Sequence, residues 1–153
     1  MFNLRVYGIL VNDKKEILVS DELIRGGNYT KFCGGGMEVG EGTRDCLKRE
    51  FMEEMNLKID VGDHIYTTDF YQPSAFRPGE QLIAIYYFVH ALEAITARIN
   101  TKPFNFDKEE LEKAGENGEA ECFRFIAWEE FSAESVTLPV DKLVATIIKS
   151  KMI

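Results

Sequence analysis

The chain has 153 residues, 45% of them hydrophobic and 29% charged, a composition expected of one soluble globular domain over residues 1–153 and not of a low-complexity or disordered segment. No apolar run reaches the ~20 residues that cross a bilayer, and a formal net charge of −8 argues against sequence-independent binding to polymeric DNA or RNA, which needs Lys and Arg to displace counterions. Cys33, Cys46 and Cys122 are odd in number and lack CxxC spacing, and the opening MFNLRVYGIL is unlike a signal peptide, so the sequence predicts reduced thiols in a cytoplasmic protein.

In chain order, Leu4 to Val11 alternates in β-forming residues, Asn12 and Asp13 supply a turn, and Ile17 to Ser20 reads as a return strand, together a hairpin. A short strand at Tyr29 to Cys33 runs into three glycines. From Thr43 to Met55 the period is helical, with Leu47, Phe51 and Met55 as the apolar stripe and Thr43 as the expected N-cap. Asn56 suits the left-handed residue that ends a helix, which would turn Leu57 back to the core. Leu57 to Val61, Ile65 to Tyr71 and the strongly apolar Gln81 to Leu92 read as strands, the last of them central, and Tyr71 to Glu80 as an irregular loop. The acidic DKEELEKAGENGE is helix-compatible, CFRFIAWEEF begins as a last strand, and LPVDKLVATIIKS is a helix with Leu143, Val144, Ile147 and Ile148 on its apolar face. The order predicts a layered α/β or α+β sandwich.

On the first helix Glu50, Glu53 and Glu54 fall within about 120° of arc, one carboxylate face beside the apolar stripe. Like charges so close require a positive counterpart, and oxygen donors without nearby Cys or His favour Mg²⁺ or Mn²⁺ over zinc. Gly34, Gly35 and Gly36 can bring backbone N–H groups to an anion, with the helix N-terminus adding positive dipole, so a phosphate would fit between glycines and metal. Arg49, four residues before Glu53, can hold that carboxylate in one orientation.

The string running from Gly35 through Glu41, Arg49, Glu50, Phe51, Glu53 and Glu54 to Leu57 resembles the signature box of the Nudix (MutT-like) hydrolases, departing from it at Asn56, where the family has glycine. The resemblance implies a Nudix α/β/α sandwich with a mixed central β-sheet. It also implies Mg²⁺-dependent hydrolysis of a nucleoside diphosphate linked to another moiety, by attack of an activated water on a phosphorus. By the same resemblance Glu50, Glu53 and Glu54 are metal ligands, Arg49 orients them, Gly34 to Gly36 serve the substrate, and Glu41 is secondary. The general base is open between Glu53 and one of Glu116, Glu119 and Glu121 in GENGEAE, with Glu119 carried as the catalytic candidate.

In the loop after the box, Tyr71 or Phe76 can stack on a base and Arg77 can meet a phosphate or ribose. His64 and His90 stand apart from the box and read as structural. The expected partner is a small nucleotide-derived substrate, with no nucleic-acid polymer and no membrane, in a monomer or homodimer. The substrate is open among modified nucleoside triphosphates, ADP-ribose or a dinucleotide, and a nucleotide sugar. The alternative is a non-catalytic nucleotide-binding or regulatory module, against which the full set of box acids argues.

Overall fold

A computed structural model of the chain describes residues 1–115 and 118–151. Its strands are β1 (Phe2–Leu10), β2 (Glu16–Ile24), β3 (Gly27–Lys31), β4 (Cys33–Gly36), β5 (Ile59–Thr67), β6 (Gln81–Ala91), β7 (Ile99–Asn100) and β8 (Ala120–Ala127). Its helices are α1 (Thr43–Met55), α2 (Lys108–Ala114) and α3 (Pro139–Lys151). The mixed β layer consists of two sheets, ordered β4-β1-β6-β5 and β3-β2-β8-β7. In the first, β1 is parallel to β6 and antiparallel to β4; in the second, β8 is antiparallel to β2 and parallel to β7.

The expected hairpin is present at its tip only. Asn12 makes the predicted turn, its side-chain oxygen accepting from the Lys14 and Glu16 N–H groups, and Val11 bridges Ile17. Beyond that bridge β1 and β2 enter different sheets. The reason lies in β1, which is apolar on both faces: Val6 and Leu10 pack under α1, while Tyr7 and Ile9 pack under α3. Such a strand needs cover on both sides, so it lies inside an α/β/α sandwich with β6, the central strand predicted from its apolar run. The expected strands Leu57–Val61 and Ile65–Tyr71 are one strand, β5, in which the break near Gly62 and Asp63 is absorbed as register shifts against β6.

Helix α1 has the predicted bounds and buries Leu47, Phe51 and Met55 along with Cys46. Its N-cap is Gly42 and not Thr43; Asp45 accepts from the Gly42 N–H at 3.1 Å, and Thr43 instead shares a 2.7 Å hydrogen bond with the Tyr87 hydroxyl. Asn56 adopts φ 51° and ψ 43°, its N–H bonded to Met52 O, and Leu57 is buried, as the helix ending required.

Helix α3 differs from expectation by a rotation. Val140, Val144, Ala145 and Ile148 are buried while Leu143 is exposed and Ile147 only half-buried. The buried Asp141 sets this angle. It accepts from the Tyr86 hydroxyl at 2.6 Å and from the Phe32 N–H at 3.4 Å, and burial pushes its carboxyl up to about 6. Phe32 stands where the chain leaves one sheet (β3) for the other (β4), so this polar contact pins the crossover that places Lys31 beside the glycines. No helix among the described residues is long and apolar enough to cross a membrane.

The helix ending yields a test. Asn56→Gly should stabilise the protein by about 0.5–1 kcal/mol, and Asn56→Val should cost about 1–2 kcal/mol, because a β-branched side chain is strained at this left-handed φ. Urea midpoints at constant m would measure both.

Candidate active site

The box residues converge on Arg49. Its guanidinium donates to both Glu41 oxygens (2.9 and 2.7 Å), to Glu50 Oε1 at 2.9 Å, to Glu53 Oε2 at 3.1 Å and to the Gly36 carbonyl at 2.9 Å. One planar fork thus fixes carboxylates from the loop before α1 and from two turns of the helix itself. Hydrogen bonds from Arg49 hold Glu41 down at about 2, and Glu41 in return accepts from the Glu38 N–H at 2.8 Å. Glu41, given a secondary place from sequence, is the anchor of the arginine.

The glycines lie within β4, paired with β1 as Tyr7↔Gly34, Val6↔Gly35 and Arg5↔Gly36. Their lack of side chains serves close approach. A Cβ on Gly34 would stand 2.0 Å from the Val6 carbonyl oxygen, and one on Gly35 would stand 2.3 Å from the Glu50 carboxyl carbon. The third turn of α1 can lie against β4 because nothing projects from Gly35.

Glu54 points elsewhere. It is half-buried and faces Glu121 of β8 and Glu22 of β2, which are directly paired across the second sheet. Burial first, then the charges of Glu121, Glu22 and Glu50, push the Glu54 carboxyl up to about 10. Burial and Glu22 likewise push Glu121 up to about 8. The Ser20 hydroxyl lies 3.0 Å from Glu22 Oε2 and 2.9 Å from Glu121 Oε2. It has one hydrogen to give. The second carboxylate must therefore share a proton or meet a cation, and Lys31 Nζ, 3.5 Å from Glu22 Oε1, is the protein's own partial answer. Glu53 and Glu54 also occupy the last turn of α1, where the helix dipole is negative and no basic residue offsets it.

This donor set fits a hard divalent cation. It is made of carboxylate oxygens, it is half-buried, and its Glu54 and Glu121 carboxyls are pushed up by burial and by the neighbouring carboxylates. Among the described residues no three acidic, His or Cys groups already stand at coordinating geometry, so the fit is one of chemistry and charge.

Of the other candidates, Phe76 and Arg77 line a cavity of 280 Å³ that also contains Glu22 and Lys31. Tyr71 is 71% exposed and lines neither this cavity nor that beside Glu54. Glu119 is exposed and lines both. Glu116 lies outside the described residues. His64 and His90 are exposed, His64 bonding Thr67 at 2.8 Å. Sequence reasoning missed Glu22, Lys31 and Arg5. The one local signal for Glu22 is the run Leu18, Ser20, Glu22, in which a polar pair continues an apolar strand face.

Among solved structures the chain is similar to a Nudix hydrolase from Nitrosomonas europaea (14% identity, 99% of this chain and 90% of that one, TM-score 0.68). It is similar to a MutT Nudix hydrolase from Burkholderia pseudomallei (16%, 97% and 98%, TM-score 0.62). It also resembles an ADP-ribose pyrophosphatase from Streptococcus suis (12%, 100% and 94%, TM-score 0.57). At these identities the likeness is one of fold. No curated protein matches the chain at a significant level. The NUDIX domain model matches residues 1–145, which span the arginine-tied box, both sheets and the acids facing Glu54, and by that match the chain belongs to the Nudix family.

Proposed function

We propose that the protein is a Mg²⁺-dependent pyrophosphohydrolase that cleaves a nucleoside diphosphate linked to another moiety. The observation that carries this reading is the half-buried set Glu54, Glu121 and Glu22, three carboxyls gathered beside one Ser20 hydroxyl and the Lys31 ammonium. A binding module has no need to gather acids at such cost, whereas a hydrolase that must seat a divalent cation against a phosphate does.

Glu50 and Glu54, with Glu53 at the exposed edge, would hold Mg²⁺ or Mn²⁺. Bound there, the ion would neutralise phosphate oxygens and acidify a water molecule. Arg49 fixes Glu50 and Glu53 through its Nη1, and Glu41 keeps Arg49 in place. Gly35 leaves room for the Glu50 carboxyl. Among the candidate bases, Glu53 is committed to Arg49 and Glu119 is exposed, whereas Glu121 faces Glu54 and its Oε2 meets the Ser20 hydroxyl at 2.9 Å. We therefore assign Glu121 to accept the proton of the attacking water and Glu119 to the rim of the substrate cavity. Phe76 and Arg77 line the cavity that would take part of the substrate, and Tyr71 is left outside it.

The signs of the shifts give a prediction for the metal-free protein. Glu54 and Glu121 titrate higher in the fold than in the unfolded chain, so their contribution to stability is intact below about 4.5 and is lost as pH rises, up to about 8 for Glu121 and about 10 for Glu54. Melting temperature in chelator should fall from pH 5 to pH 8, and Mg²⁺ should restore more of it at pH 8 than at pH 5. Glu54→Gln removes the need to take up a proton on folding while keeping the shape of the side chain. It should stabilise the chelated protein at pH 8 by about 1 kcal/mol or more and lower Mg²⁺-dependent kcat by about a hundredfold or more. Near-normal turnover in this variant would remove Glu54 from the mechanism.

Gly35→Ala tests the close approach. The added methyl should displace the Glu50 carboxyl, cutting kcat by about a hundredfold while costing about 1–3 kcal/mol of stability. The activity itself is tested by product release from ADP-ribose, NADH, diadenosine polyphosphates, nucleotide sugars and normal or oxidised nucleoside triphosphates, in Mg²⁺, Mn²⁺ and chelator. Chelator-sensitive cleavage is expected. Silence across the panel, with nucleotides still raising the melting temperature, would favour a binding module.

A further inference from the structure

The cavity that Glu22 shares with the loop after the box has a charge opposite to that of the protein. Its lining includes four cations, Arg5, Arg25, Lys31 and Arg77, against two acids, Glu22 and Glu119, in a chain whose net charge is −8. Two of the cations are inside the fold. Lys31 is 6% exposed and Arg5 is half-buried, and both lie over the same Tyr7 ring, 6.0 and 5.7 Å from its centroid. Arg5 Nε donates to the Tyr7 hydroxyl at 2.6 Å, and Lys31 Nζ has Glu22 Oε1 at 3.5 Å. Burial opposes both charges, yet the Tyr7 oxygen and Glu22 keep the ammonium and the guanidinium ionised.

Two like charges held side by side in a partly dry cavity are unfavourable unless an anion joins them. Glu22 does not fill that role alone, because it also belongs to the carboxyl set of Glu54 and Glu121. A neutral base or sugar would use one or two of the N–H donors and leave the charge unmatched. Phe76 forms an apolar wall, its ring 5.9 Å from Lys31 Nζ and edge-on to Tyr29 at 5.0 Å. At 280 Å³ the space lies just below the ~300–1,000 Å³ usual for small-molecule sites, so it suits one moiety of a substrate and not a whole dinucleotide. Arg5 and Arg77 also line a neighbouring 430 Å³ cleft with Glu50 and Gly36, which connects this space to the box acids.

We propose that Arg5, Lys31 and Arg77 form a subsite for an oxyanion, phosphate or carboxylate, carried on the part of the substrate remote from the scissile pyrophosphate. The enzyme then selects nucleoside diphosphate derivatives that bear a further anionic group over matched ones that end in a neutral sugar or base. The inference deepens the hydrolase reading and rests on it for the direction in which the substrate lies.

Matched pairs that differ by one anionic group provide the test: UDP-glucuronate against UDP-glucose, NADPH against NADH, and coenzyme A against dephospho-coenzyme A. Equilibrium binding is measured by calorimetry with Ca²⁺ in place of Mg²⁺, and turnover separately with Mg²⁺. The subsite predicts at least tenfold tighter binding of the anionic member of one or more pairs, with the carboxylate and phosphate arms distinguishing the two oxyanions. Lys31→Met and the exposed Arg77→Gln, which leaves the core untouched, should each shrink that ratio at least threefold, chiefly through KM where turnover is seen. Equal affinity within every pair, no binding of any anionic member, or a ratio unaltered in folded Lys31→Met and Arg77→Gln would overturn the proposal. A binding preference without cleavage of any compound would overturn the hydrolase reading and leave the subsite standing.

Discussion

Three carboxyls from three elements, Glu54 of α1, Glu22 of β2 and Glu121 of β8, are gathered half-buried beside one another, and much of the architecture is organised around holding them there. Their repulsion is not relieved by Arg49, whose five donors are committed to Glu41, Glu50, Glu53 and the Gly36 carbonyl. It is relieved only in part by Lys31 and by the single Ser20 hydrogen. The division is what makes the site asymmetric: Glu50 and Glu53 on the acidic face of α1 are tied to Arg49, and Glu54 faces the acids of the second sheet instead.

The fold supplies the force that resists this repulsion. Cys46, Leu47, Phe51 and Met55 press α1 onto β1, β5 and β6, and burial of side chains of that size is worth about 1.5–3 kcal/mol each. On the opposite face α3 covers strands of both sheets through Val140, Val144, Ala145 and Ile148. Between the two sheets the chain crosses at Phe32, where Asp141 takes its N–H. That crossing puts Lys31 at the end of one strand and Gly34 to Gly36 at the start of the next. The cationic cavity and the box acids are neighbours because of a single residue's change of sheet.

Much of this was legible in the sequence, and the parts that were not share a cause. Helix α1, its stripe and its ending at Asn56 depend on contacts within a few residues, and they appear where the pattern put them. The three box glutamates and Arg49 follow from helical spacing for the same reason. Glu22 and Lys31 were hidden because their meaning comes from pairing: Ser20 meets Glu121 across 101 residues of sequence, and no local period announces that β2 lies beside β8. The same blindness turned two sheets' strands into one hairpin, since the Asn12 turn is genuine and only the distant partners of β1 and β2 separate them. On α3 the apolar pattern alone chose Leu143, whereas a buried hydrogen bond from Tyr86 to Asp141 rotated the helix away from it.

With no cation among the described residues beside them but Lys31, the Glu54 and Glu121 carboxyls are pushed above the usual carboxylate range. Calorimetric titration of Mg²⁺ at pH 7, repeated in buffers of different ionisation enthalpy, counts the protons released as the ion binds. Release of about one proton or more per site is expected, reduced in Glu54→Gln. Binding of Mg²⁺ with no proton release, or release unchanged in that variant, would contradict it.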